Sequence, residues 1–134
     1  MSKNRKPKVA FFDFAGCEGC QLTVIDSLQN DIDLLDAVDI VEFREAMSEK
    51  GGDYQIAFVE GACTRPEDED RLKTIRSQAQ IVFALGACAH LGGVSALRNW
   101  QAAHDVKKYV YGEMGQFFSS YPKQYKWMNL GSSI

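Results

Sequence analysis

The stretch Lys8-Val9-Ala10-Phe11-Phe12-Asp13-Phe14-Ala15-Gly16-Cys17-Glu18-Gly19-Cys20 is almost unbroken in apolar residues until a glycine delivers it into two cysteines. A strand buried on both faces has that continuous character. The plan recurs twice. Ile56-Ala57-Phe58-Val59-Glu60-Gly61 leads to Cys63, and Ile81-Val82-Phe83-Ala84-Leu85-Gly86 leads to Cys88. In open parallel sheets ligands collect in the crevice outside the carboxyl ends of the strands. Four thiols delivered there from three strands match the need of an iron–sulfur cubane, which takes four thiolates.

Between these strands the sequence reads as helices. Leu22, Ile25 and Leu28 have helical spacing after Gln21. Thr64-Arg65-Pro66-Glu67 has the form of a capping box, with Thr64 as N-cap, Pro66 in the first turn and Asp68, Glu69 and Asp70 on the positive end of the dipole. Leu72, Ile75 and Ala79 form its apolar stripe, and Gly92-Gly93 precedes a segment carrying Val94, Leu97 and Arg98. Asp39 to Arg44 alternates more cleanly, as an edge strand does, and Lys108-Tyr109-Val110-Tyr111 reads as a fifth strand.

The alternation predicts an α/β fold: a flavodoxin-like open parallel sheet with helices on both faces. Right-handed crossovers put the first, third and fourth strands side by side, which brings the sulfurs together. Residues 1–112 form this cluster-binding domain, and 113–134 an irregular aromatic tail, with Phe117, Phe118 and Trp127, suited to docking a partner.

Composition narrows the function. A chain of 134 residues, 46% hydrophobic and 25% charged, is one ordinary globular domain. Its net charge of -3 offers no basic stripe for nucleic acid. No secretory leader and no apolar run of membrane-spanning length is visible, so the expected place is the cytoplasm, without direct membrane insertion. Four cysteines in that reducing compartment favour metal over disulfide.

Cys17-Glu18-Gly19-Cys20 alone is open between a redox dithiol, half a zinc site and half an iron–sulfur site. A dithiol leaves Cys63 and Cys88 unexplained, and zinc commonly uses two paired knuckles, whereas only one pair is local here. Inert packing remains open for Cys63; the glycines Gly86, Gly92 and Gly93 around Cys88 argue for a loop shaped to hold something. Gly19 is expected to supply unusual backbone angles, and Cys20, starting a helix, to have a lowered thiol pKa. Glu60 is expected either to bond loop amides near the cysteines or to cap the following helix. Asp13 reads as a hydrogen-bonded buried carboxylate rather than a catalyst, His90 as a loop or helix-start residue within reach of a cluster's surroundings, and His104 as solvated surface. No nickel motif, dinucleotide fingerprint, P-loop or nucleophilic triad is visible.

Phe14-Ala15-Gly16-Cys17-Glu18-Gly19-Cys20-Gln21, Val59-Glu60-Gly61-Ala62-Cys63 and Leu85-Gly86-Ala87-Cys88-Ala89-His90-Leu91-Gly92-Gly93 together resemble the small subunit of [NiFe] hydrogenases. That family also contains the 20-kDa cluster-bearing subunit of NADH:ubiquinone oxidoreductase. The likeness covers roughly residues 8 to 112, and the spaced Cys17 and Cys20 resemble the hydrogenase branch. It implies an electron-transfer subunit, not catalytic alone, carrying a proximal [4Fe–4S] cluster. Its partners would be a large subunit holding the nickel–iron centre and further iron–sulfur or flavin subunits. Cys17, Cys20 and Cys88 match the ligand motifs. The family's fourth ligand comes from a later Gly-Cys-Pro, absent here, so Cys63 is expected to substitute, unless that ligand lies in a further segment or a partner. A non-catalytic interaction subunit and a stand-alone zinc or redox module are the alternatives.

Overall fold

Strand β1, Lys8–Asp13, is the centre from which the sheet is built. The computed structural model describes residues 6–48 and 51–113. β1 pairs in parallel with β2, Asp39–Phe43, on one side and with β3, Ile56–Glu60, on the other; β4, Ile81–Leu85, pairs in parallel with β3. The order β2-β1-β3-β4 is the flavodoxin-like one, with β2 at an edge as its alternation predicts.

Side chains alternate between the two sheet faces. Ala10, Phe12, Ala57 and Val59 face α3, Pro66–Gln78, whose Leu72 and Ile75 close one core together with Ala79 just past its end. Val9, Phe11 and Phe43 face α1, Gly19–Asn30, through Val24, Ile25 and Leu28. Helices therefore cover both faces. On the α1 face the rings of Phe43, Phe11, Phe58 and Phe83 stack across all four strands at centroid spacings of 4.2, 4.9 and 5.0 Å. One position departs from expectation. Leu22 is 54% exposed, and Gln21 takes its place on the sheet-facing stripe with Val24, Ile25 and Leu28.

The strand register sets the level of the cysteine loops. Asp13 pairs with Glu60, and Glu60 with Leu85, so β1, β3 and β4 end on one row and their following loops leave together. α4, Gly86–Leu91, starts directly from β4, and a 3-10 helix, Gly93–Trp100, comes after it. A short α2, Asp33–Ala37, leads into β2.

Two local expectations are corrected. Lys108–Tyr111 belongs to a helix, α5, Ala103–Tyr111, and is not a fifth strand. Asp105 in its first turn and Lys108 in its last complement the helix dipole, which outweighs the strand preference of two tyrosines and a valine. The N-cap of α3 is Arg65, not Thr64, and its reciprocal carboxylate is Asp68, not Glu67. Pro66 decides this, because it forces the preceding residue into extended backbone. Tail residues 114–134 lie outside the described residues.

The Asp68 cap is testable. Its Oδ2 accepts from the amides of Thr64 and Arg65, both at 3.0 Å, while Arg65 Nη2 donates to Oδ1 at 3.0 Å. Burial works to raise its pKa, but those bonds and the guanidinium charge hold it below the ordinary carboxylate value. A depressed folded pKa stabilises above the unfolded value near 4 and loses that contribution as the pH falls through it. Asp68→Ala should cost roughly 2 kcal/mol in urea unfolding at pH 7, with a visibly smaller difference at pH 3.

Candidate functional site

Beyond their paired residues the β1 and β3 chains stay zipped. Phe14 N donates to Glu60 O at 2.8 Å, and Ala15 and Ala62 exchange two backbone bonds of 3.2 and 2.9 Å. Gly61 makes this approach possible. Its φ is +91°, and a Cβ there would stand 2.6 Å from the carbonyl carbon of Phe14. The chain then turns into Cys17, which is exposed, and Cys20, which is half-buried in the first turn of α1.

Glu60 fastens this turn from the neighbouring strand. It is 4% exposed; its Oε1 accepts from the amide of Cys20 at 3.2 Å and its Oε2 from that of Gln21 at 3.1 Å. A carboxylate thus takes up two of the free amides at the start of α1 and fixes the cysteine loop to the sheet. Of the two roles expected for Glu60, it performs the first; the following helix is capped by Asp68.

Cys88 enters from the other side, in α4. Gly86 and Gly93 flank it with φ of +81° and +53°. A Cβ on Gly86 would collide with Cys20 Sγ, and one on Gly93 would stand 2.8 Å from Cys88 Sγ. These two positions are therefore the walls against which the sulfurs lie. Cys17 and Cys20 follow the end of β1 and Cys88 follows the end of β4, so their loops leave the sheet at one level.

Cys63 is 0% exposed and packs in the α3-side core with Val59, Leu72 and Ala89 among its cluster. Burial pushes its thiol up to about 11, with Asp68 and Glu69 adding to the effect. The expectation of Cys63 as fourth ligand therefore meets a fully buried side chain.

Two further expectations change in detail. The left-handed residue of the Cys17–Cys20 loop is Glu18, at φ 61°, and not Gly19. The Cys20 thiol is raised, not lowered: burial comes first, then the charge and hydrogen bond of Glu60, then the neighbouring thiols Cys17 and Cys88. These outweigh the helix dipole, and a bound cation would reverse the balance. Among the described residues no three His, Cys, Asp or Glu side chains converge as for one metal ion. A cluster distributes its thiolates over separate irons and needs them farther apart.

Asp13 is hydrogen-bonded as expected, by Arg44 at 2.8 Å with Arg71 at 3.9 Å, but it is half-buried and not buried. His90 and His104 are exposed. Sequence reasoning missed Gln21. The signal was a polar residue at the head of an apolar stripe, and Gln21 is now found 1% exposed, one residue from Cys20. No described helix is long and apolar enough to cross a membrane.

The chain is of the open parallel α/β class, with cysteines following the ends of three of its strands. Comparison narrows it. The family model "NADH ubiquinone oxidoreductase, 20 Kd subunit" matches residues 17–122, and the chain belongs to that family. It is 30% identical over 108 residues to a subunit of the vhu F420-non-reducing hydrogenase of Methanococcus voltae, covering 80% of this chain and 38% of the relative. It is 34% identical over 104 residues to the NAD-reducing hydrogenase HoxS subunit delta of Cupriavidus necator, covering 74% and 49%. The sulfhydrogenase 2 subunit delta of Pyrococcus furiosus is 31% identical over 106 residues, covering 78% and 44%. The chain thus spans less than half the length of these relatives. A chain of the NAD+-reducing [NiFe]-hydrogenase crystal structure in the H2-reduced state superposes with a TM-score of 0.78 at 23% identity, over 97% of this chain and 78% of that one; this likeness establishes the fold.

Proposed function

We propose that this chain is the electron-transfer small subunit of a cytoplasmic [NiFe]-hydrogenase-like complex, carrying a [4Fe–4S] cluster beside a nickel–iron centre held by a large subunit. The observation that supports it is the placing of Cys20 against Gly86 and of Cys88 against Gly93, where any side chain would invade the space of the sulfurs, with Cys17 three residues before Cys20 in the same loop. The residues fit such a group: three thiols at one end of the sheet, glycine walls, and a loop fixed by a buried carboxylate.

When bound, the cluster supplies one-electron redox chemistry. The chain's own residues do the positioning. Cys17, Cys20 and Cys88 hold it, Glu60 fixes the turn that presents two of them, and Gly86 and Gly93 keep the approach open. Cys63 is the weaker member of the set because it lies in the core. A ligand from another segment or from the partner then completes the fourth corner.

Docking to the large subunit is supported by the surface next to Cys88. Leu91, Val94, Leu97 and Trp100 are more than 60% exposed, apolar side chains spaced three apart along the segment that follows the cysteine. The alternative, an interaction subunit of the same fold without a working cluster, draws on the full burial of Cys63 in the core. Anaerobic reconstitution of the chain with ferrous iron and sulfide decides between them. We expect a brown protein holding about four irons and four sulfides with a reduced-state EPR signal. A protein that stays colourless and iron-free would favour the alternative.

A further inference from the structure

One buried side chain beside the cysteines has unmet hydrogen-bonding capacity. Gln21 is 1% exposed, and neither its Nε2 nor its Oε1 has a hydrogen-bond partner among the described residues. Its backbone amide is bonded to Glu60, which leaves the carboxamide as the open group. A carboxamide carries two donor hydrogens and an acceptor oxygen, and burying them unpaired costs the folded chain free energy that a leucine would not cost.

Its place in the fold says where a partner arrives from. Gln21 heads the stripe completed by Val24, Ile25 and Leu28, which packs on the sheet. A helix joining two parallel strands runs back against them, so the first residue of this stripe lies at the carboxyl ends of the strands. That is the level of the cysteines. The adjoining residue is Cys20, whose sulfur rests against Gly86.

We propose that Gln21 is a contact residue for the group held by Cys17, Cys20 and Cys88, its Nε2 donating a hydrogen bond to a sulfur of that group. Sulfides and thiolates accept hydrogen bonds and do not donate them, which suits the NH2 of a carboxamide. The open carboxamide is satisfied when the group enters, so Gln21 destabilises the empty chain and stabilises the loaded one. Donation to a cluster sulfur favours the more negative, reduced state and raises the midpoint potential. The proposal rests on the cluster-carrying function above.

The test compares wild type, Gln21→Leu and Gln21→Glu, each as the whole chain, empty and after anaerobic reconstitution with ferrous iron and sulfide. For Gln21→Leu we expect a higher urea midpoint when empty, about tenfold faster loss of iron to a chelator when loaded, and a lower midpoint potential by EPR-monitored titration. Gln21→Glu, which keeps the size but presents a carboxylate, should show the same loss of iron and a potential at least as low. Equal shifts of empty and loaded stability with an unchanged potential would overturn the proposal and make Gln21 a structural residue. So would a Gln21→Leu chain that is less stable empty, or does not fold. Wild-type chain that takes up no iron and sulfide would instead overturn the cluster function, and this proposal with it.

Discussion

Serine at Cys17, Cys20 or Cys88 should each remove most of the bound iron, whereas alanine at Cys63 should leave iron and sulfide near the wild-type level. The three follow the ends of β1 and β4, with Cys20 against Gly86 and Cys88 against Gly93, while Cys63 is enclosed by the α3-side core. A cubane that loses one of its thiolates keeps an unprotected iron, which is readily oxidised or extracted; losing a core thiol changes only packing. Cys63→Ala should therefore cost on the order of 1 kcal/mol in stability with little effect on iron. Thiol labelling of the empty, folded chain at pH 8 separates the two classes without any metal. Cys17 is exposed and should react readily. Cys63, with its thiol pushed up to about 11, has roughly one part in a thousand as thiolate at that pH and no access, so it should react only on unfolding. The same shift predicts falling stability from pH 9 to 11, since the unfolded thiol ionises first. A Cys63→Ala protein that loses its cluster, or a Cys63 that labels as fast as Cys17, would return Cys63 to the ligand set.

Three of the strands were legible because nearly continuous apolar runs that end in a glycine leave few alternatives, and the strand order followed from crossover handedness. The level of the cysteine loops was legible for the same reason: the residues just past a strand end lie at a known level of the sheet. What escaped lies in the orientation of side chains and in single backbone angles. Cys63 follows β3 as expected, but its side chain is fully buried in the core that also holds Leu72. Glu18 rather than Gly19 holds the left-handed angle, because the glycine next door gives no indication of which residue bends. Burial and Glu60 reversed the pKa expected for Cys20, and neither is local in sequence: Glu60 is forty residues away. Gln21 was passed over in favour of Leu22, since helical periodicity assigns polar residues to solvent by default. Lys108–Tyr111 failed as a strand because four residues carry too little pattern against the charges flanking them.

Gly86 should be the least replaceable non-cysteine position of the site. Alanine there meets two separate penalties. Its φ of +81° is left-handed backbone, which costs a residue with a Cβ about 1–2 kcal/mol. The added methyl also collides with Cys20 Sγ, so the sulfur must move out of its place against β4. Together we expect Gly86→Ala to cost roughly 2–4 kcal/mol in urea unfolding and to remove most of the bound iron. Gly112→Ala tests a positive φ away from the sulfurs: Gly112 has φ 55° and ψ -139°, a region nearly restricted to glycine, with no described atom within 4 Å of the added Cβ. It should cost about 1–3 kcal/mol and leave iron unchanged. A double-mutant cycle isolates the second. In a Cys20→Ala background the sulfur is gone, so Gly86→Ala should cost only what its backbone angle demands, and the two changes should be non-additive by about 1 kcal/mol or more. Additive costs, or a Gly86→Ala chain that retains full iron, would mean that Gly86 serves the turn into α4 alone and that the wall behind Cys20 plays no part in holding the cluster.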